Sequence, residues 1–195
     1  MKNGAILLEE LITSSDGKYN PFCIFSNKEL KKATNNYSYP LNVIKHDAYY
    51  ILYKGSLQER SISVMKFKDV QDAKQFCFNN IVFAAQMNHK NVVKLIGCCL
   101  ETQIPILVFE SVECKTMSDR IRNEDRSPCN EWTGRLKIAM EIANAVAHVH
   151  VGFTRPIVSK SIKLANILFD DECVAKLFDF TLSEVIPEGE THVNN

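Results

Sequence analysis

No sign of charge dominates this chain: 23 lysines and arginines cancel 23 aspartates and glutamates. A net charge of zero gives no field to gather nucleic acid or an anionic membrane, so neither is expected as a partner. Long apolar runs are also lacking. Stretches such as Ile104–Phe109 fall far short of the roughly 20 residues that a spanning helix needs, so no transmembrane segment is expected. No charged-then-apolar leader opens the sequence, and Lys2 stands where myristoylation needs a glycine. The seven cysteines are odd in number, and adjacent Cys98 and Cys99 lack the C-x-x-C spacing of zinc and redox sites. Without a leader, this favours a reduced, cytoplasmic setting with Cys98 and Cys99 as small buried hydrophobes. Internal repeats and low-complexity tracts are absent as well.

What remains is an ordinary globular composition, 46% hydrophobic and 24% charged, long enough to bury a core. Residues 1–12 read as a short amphipathic helix with Leu7, Leu8, Leu11 and Ile12 on one face, ended by Ser14-Ser-Asp-Gly17. Ser26 and Glu29 form an S-x-x-E capping box that starts a second helix. β-prone runs follow at Tyr49–Tyr53 and Ser61–Met65, flanking an expected turn near Gly55. A helix over 73–87 and strands at Val92–Ile96 and Pro105–Phe109 complete the first half.

The clearest helix spans about Glu131–His150, where Leu136, Ala139, Met140, Ala143 and Ala147 recur as an expected core-facing stripe. Two short strands, Asn166–Phe169 and Ala175–Phe178, then flank a polar turn.

Several strings in that order carry chemistry. Lys45-His-Asp-Ala-Tyr-Tyr50 has the spacing of G-x-G-x-x-G, Ser63-Val-Met-Lys66 that of V-A-I-K, and Asp179-Phe-Thr181 that of D-F-G. Ser159-Lys-Ser-Ile-Lys-Leu-Ala-Asn166 has the outline of H-R-D-x-K-x-x-N. Together they resemble the protein kinase fold from about residue 26 onward. FSNKELKKATNNYS, NHKNVVKLIGCCLE and RLKIAMEIANAVAHVH resemble plant receptor-like kinases. NGAILLEELI and IPEGETHV resemble the receptor-like cytoplasmic pseudokinases related to the hopZ-ETI-deficient and resistance-related kinases.

The resemblance implies an α+β, protein kinase-like fold. An antiparallel small lobe with its helix αC would span residues 26–112, after an N-terminal helix and linker over 1–25. Residues 113–195 would hold the first part of a helical large lobe, a long helix and a β-hairpin, ending before an A-P-E motif. That early end implies exposed apolar surface awaiting a partner.

Residue by residue, the resemblance also implies lost catalysis. Kinases use the loop aspartate to orient the substrate hydroxyl and accept its proton, and Ser161 stands there instead. Loss of general-base assistance typically costs about 10²–10⁴ in rate. Lys45, Asp47 and Tyr50 replace the three glycines that let backbone N–H groups approach phosphate. Asn80 replaces the αC glutamate and cannot form its ion pair. Lys66, Asn166 and Asp179 are the vestigial nucleotide and magnesium positions. The plain alternatives are that Lys66 snorkels from its strand and that Asp179 caps local backbone groups.

The expected function is therefore a catalytically inactive adaptor in plant immunity that requires no cofactor. The resemblance implies a leucine-rich-repeat immune receptor and receptor-like cytoplasmic kinases as partners, with recruitment to the plasma membrane through them. Gly4, Leu8 and Ile12, at i, i+4 and i+8, form the docking stripe, unless that helix packs on its own small lobe. The competing expectations are an atypical ATP-binding serine/threonine kinase with weak magnesium–ATP affinity, and a truncated, non-functional remnant.

Overall fold

A six-stranded sheet organises the first half of the molecule. The computed structural model describes residues 23–113, 115–123, 131–153, 155–186 and 189–190. Gly4, Leu8, Ile12 and part of the IPEGETHV string lie outside them. The sheet half contains β1 (Cys23–Ile24), α1 (Asn27–Ala33), β2 (Val43–His46), β3 (Tyr50–Leu57), β4 (Arg60–Phe67), α2 (Ala73–Gln86), β5 (Leu95–Cys99) and β6 (Ile106–Glu110). Strand order is β1-β5-β6-β4-β3-β2, antiparallel throughout except where β1 joins β5.

The second half holds α3 (Met117–Arg122), α4 (Trp132–Val151), β7 (Ile157–Ser159), a 3₁₀ turn (Leu164–Asn166), β8 (Ile167–Phe169), β9 (Ala175–Leu177) and β10 (Ser183–Val185). β8 and β9 form the expected hairpin, while β7 pairs with β10. This is the α+β arrangement of a largely antiparallel sheet with a helix packed on each face, then a long helix and a hairpin.

Local chemistry explains the elements. The Ser26 hydroxyl accepts the Glu29 N–H at 3.2 Å and the Glu29 carboxylate accepts the Ser26 N–H at 2.8 Å, so α1 starts on a closed capping box. The β3–β4 turn falls at Gln58-Glu59, with φ of 50° and 65°, and not near Gly55 as its glycine suggested. Gly55 lies inside β3 for another reason: a Cβ there would sit 3.1 Å from the Ala33 carbonyl, where β3 passes α1.

Period-two alternation divides β4 between two cores. Ile62 and Val64 join Leu30, Tyr53, Cys99, Ile106 and Val108 on the outer face. Met65 and Phe67 join Tyr50, Leu52 and the α2 residues Cys77 and Ile81 on the inner face. Helix α4 enters that inner core through Ile138, Ile142, Ala145 and Val149. The stripe expected to face the core is the opposite one: Leu136, Ala139, Met140, Ala143 and Ala147 are all exposed. Both stripes have helical spacing, and packing selected the one rich in isoleucine and valine.

Backbone bonds tie the two halves together. Val93 N–H donates to the Leu177 carbonyl at 3.0 Å, and Leu177 N–H donates to the Asn91 carbonyl at 2.8 Å. Cys98 and Cys99 are buried free thiols, packing as small hydrophobes. Cys173 departs from the expectation of reduced cysteines and is disulfide-bonded. Among the described residues, no helix is long and apolar enough to cross a membrane.

Candidate functional site

Two neighbouring strands and the turn between them deliver the residues that replace the glycines. A register shift between Val43 and Lys45 breaks the alternation of β2, so Ile44 and Lys45 are both buried. The shift aims the Lys45 side chain into the space between sheet and hairpin. Tyr50, fully buried at the start of β3, points into the same space. From the other side come Asn166, at the end of the 3₁₀ turn, and Asp179, two residues beyond β9. Asp179 takes φ of 77°, a left-handed conformation that aspartate tolerates better than most residues.

These groups meet in one buried network. The Lys45 ammonium donates to Asn166 Oδ1 and to the Tyr50 phenol oxygen, and lies 3.2 Å from Asp47 Oδ2. The Tyr50 hydroxyl donates to Asp179 Oδ2 at 2.9 Å, and the ammonium is 3.9 Å from that oxygen. Asn166 Nδ2 donates to the Ser161 carbonyl at 2.7 Å. Lys163, half-exposed, reaches Asp47 Oδ2 at 3.4 Å.

Burial pushes the Lys45 pKa down, while Asp179 and Asp47 push it back up; the net shift is downward. Burial, then the Asp179 and Asp47 charges, hold the Tyr50 phenol well above its usual range, so it keeps the proton it donates. Burial raises Asp47, but the Lys45 and Lys163 charges outweigh that and its pKa is lowered.

A second cluster fastens α2 to the Asp179-Phe-Thr181 segment. Asn80, fully buried, accepts the Phe180 N–H at 3.0 Å and donates to Thr181 Oγ1 at 2.8 Å. Asn79 adds a bond to the Thr181 carbonyl at 3.2 Å. The residue in place of the αC glutamate thus holds this segment through neutral hydrogen bonds.

Lys66 is not part of the site, and its sequence assignment needs correction. It is exposed, shares the outer face with Ile62 and Val64, and its ammonium sits 4.5 Å from the centre of the Tyr37 ring. Met65, fully buried on the inner face, occupies the inward position next to it. The motif frame is one residue too far along, Ile62–Met65 being the stretch whose fourth side chain points inward. A one-residue slip on a strand moves a side chain to the opposite face. Ile62 and Val64 share parity with Lys66, so their entry into the outer core carries Lys66 outward with them.

At the catalytic-loop position Ser161 is buried, Lys160 pairs with Glu184 at 2.9 Å, and the Ser159 hydroxyl is buried with no partner among the described residues. A serine hydroxyl cannot act as a carboxylate base at neutral pH. Asn166 and Asp179 are oxygen ligands of the type magnesium takes. Here their oxygens face an ammonium and a phenol, and the inward β4 position carries Met65 in place of a cation. The residues present do not fit a magnesium–nucleotide complex. Among the described residues, no group of three or more His, Cys, Asp or Glu side chains could hold a metal.

Comparison with known proteins identifies the family. The family profile described as protein kinase domain matches residues 52–195. Over the whole chain the sequence is 42% identical to the non-functional pseudokinase ZED1 of Arabidopsis thaliana, covering 58% of that protein. It is 38% identical over the whole chain to the A. thaliana non-functional pseudokinase ZRK6, covering 50% of it. Over 99% of the chain it is 37% identical to the A. thaliana serine/threonine-protein kinase ZRK1, covering 57% of it. The chain thus spans about half the length of these curated relatives.

Proposed function

The chain belongs to the protein kinase family, in the company of plant pseudokinases, and from that premise we propose that it acts as a catalytically inactive adaptor. The observation that carries this reading is the set of three replacements at the reaction centre. Ser161 stands at the base position, and Lys45 and Tyr50 take up the oxygens of Asn166 and Asp179. An adaptor keeps the kinase surface and needs none of its chemistry. By resemblance to the hopZ-ETI-deficient and resistance-related kinases, the partners are a leucine-rich-repeat immune receptor and effector-modified receptor-like cytoplasmic kinases. Gly4, Leu8 and Ile12 supply the receptor-docking stripe in this reading.

Affinity capture from plant tissue tests it. Wild type should recover such a receptor, and a Leu8→Glu variant should lose it. Recovery undiminished by Leu8→Glu would remove the docking stripe, and no receptor with either protein would remove the adaptor role. The relative named a serine/threonine-protein kinase keeps one alternative in view, residual phosphoryl transfer. Transfer of labelled γ-phosphate by purified protein, abolished by Asp179→Ala, would establish that alternative.

A further inference from the structure

The ammonium of Lys45 is held as a bound cation would be held. It has three N–H donors, and three oxygens surround it: Asn166 Oδ1, the Tyr50 phenol oxygen, and Asp47 Oδ2 at 3.2 Å. Asp179 contributes charge from 3.9 Å while its Oδ2 accepts the Tyr50 hydroxyl. The side chain of Lys45 is only 6% exposed, so protein oxygens, not solvent, make up most of its shell. Charge also closes locally. Lys45 and Lys163 balance Asp47 and Asp179, and a divalent ion entering this group would leave a surplus of positive charge.

We propose that Lys45 is a tethered cation built into the fold, for which Asn166, Asp179, Asp47 and Tyr50 form the binding site in place of an exchangeable divalent metal. The β2 register shift aims the stem, and the Tyr50 ring, 4.8 Å from the ammonium, walls one side. The consequence is a permanently closed contact between the β2–β3 strands and the 3₁₀ turn–β9 segment. Metal concentration and chelators do not open it, unlike a closure made by magnesium and nucleotide. Phosphate is refused by the same arrangement, because every Lys45 donor is already engaged and Tyr50 fills the approach. This inference shares with the adaptor reading the filling of the site by Lys45 and Tyr50, but a filled site names no partner, so failure of receptor capture would leave it standing.

Two measurements test it, on the full chain. In the first, terbium, an oxygen-seeking cation whose luminescence tyrosine sensitises, is titrated into wild type, Lys45→Met, and Lys45→Met with Asp179→Asn. Wild type should show no saturable site. Lys45→Met should gain one, tighter by about tenfold or more, and the added Asp179→Asn should abolish it. In the second, wild type alone undergoes reductive methylation with mass-spectrometric readout. Lys45 should be modified at least about tenfold more slowly than Lys163, whose side chain is 54% exposed. Terbium binding by wild type as tight as by Lys45→Met would overturn the proposal. So would a folded Lys45→Met that gains no site, or methylation of Lys45 as fast as Lys163. The second measurement needs no variant, so a Lys45→Met chain that fails to fold still leaves the proposal decided.

Discussion

Asn80→Ala is the perturbation that probes the α2 attachment most directly. The side chain is fully buried and makes two long-range bonds, from Phe180 N–H at 3.0 Å and to Thr181 Oγ1 at 2.8 Å. Truncation leaves the Phe180 N–H as a buried donor without a partner, costing about 1–3 kcal/mol. Loss of the Thr181 bond adds about 0.5–1.5 kcal/mol, since that hydroxyl keeps its own proton to redirect. Together these amount to about 1.5–4.5 kcal/mol. For a chain this long each kcal/mol moves the melting temperature by about 2–4 °C, so a fall of roughly 3–18 °C is expected. Urea unfolding gives the free energy, and amide exchange at Phe180 localises it. Thr181→Val is the control: it removes only the hydroxyl and should leave Phe180 exchange slow, and the double variant isolates the Asn80–Thr181 coupling. A loss below about 1 kcal/mol with unchanged Phe180 exchange would refute the attachment.

Three other perturbations have defined outcomes. Met65→Ala should cost about 2–5 kcal/mol as a core truncation, while Lys66→Ala should cost about 1 kcal/mol or less, the scale of its contact with Tyr37; thermal melts that rank them equally would return Lys66 to the inner face. Gly97→Ala places a Cβ 2.1 Å from the Cys23 carbonyl, so β1 must move off β5. A stability loss of about 1–3 kcal/mol and faster proteolysis at β1 should follow, and resistance equal to wild type counts against that close approach.

His89 gives a pH signature: its pKa is lowered by burial, then by His148, stacked at 4.9 Å, and Lys90. Its Nδ1 must stay unprotonated to accept the Asn91 N–H at 3.1 Å. With the folded pKa below the unfolded value near 6.5, the stabilisation is complete above that pH and lost as pH falls toward the folded pKa. Urea midpoints for wild type should therefore drop on acidification from pH 7 to 5 more steeply than for His89→Asn, and parallel curves would exclude the effect.

Elements were legible where the signal is local. The Ser26–Glu29 capping box, the long α4 and the β8–β9 hairpin each announce themselves within a few residues. Choices of face were not. Two apolar stripes run along α4 at helical spacing, and only the shape of the inner core decides that Ile138 and Ile142 enter while Leu136 and Met140 stay out. On β4 the same ambiguity is a single step, because lysine at 66 matched a motif while methionine at 65 matched none. At the site, the sequence shows that Lys45, Asp47 and Tyr50 crowd out glycine and alter the charge. That Lys45 would bind Asn166 was hidden, since the two lie 121 positions apart and no local rule joins them.

The replacements at the reaction centre differ in kind, and the difference predicts what reversal would do. Ser161 only removes a group, so Ser161→Asp would return a carboxylate to the loop. Lys45 and Tyr50 add groups that bind the very oxygens a metal would need, and Met65 and Asn80 are integrated into the core and the α2 attachment. A base restored by Ser161→Asp would stand beside a site whose Asn166 and Asp179 oxygens are still taken up by Lys45 and Tyr50. Phosphoryl transfer depends mainly on positioning and on neutralising charge, with proton removal a smaller contribution. The single revertant should therefore show no transfer in a γ-phosphate assay. Robust transfer by it would mean that Lys45 and Tyr50 leave the site readily, and that the network around Asp179 is far weaker than its burial and hydrogen bonding require.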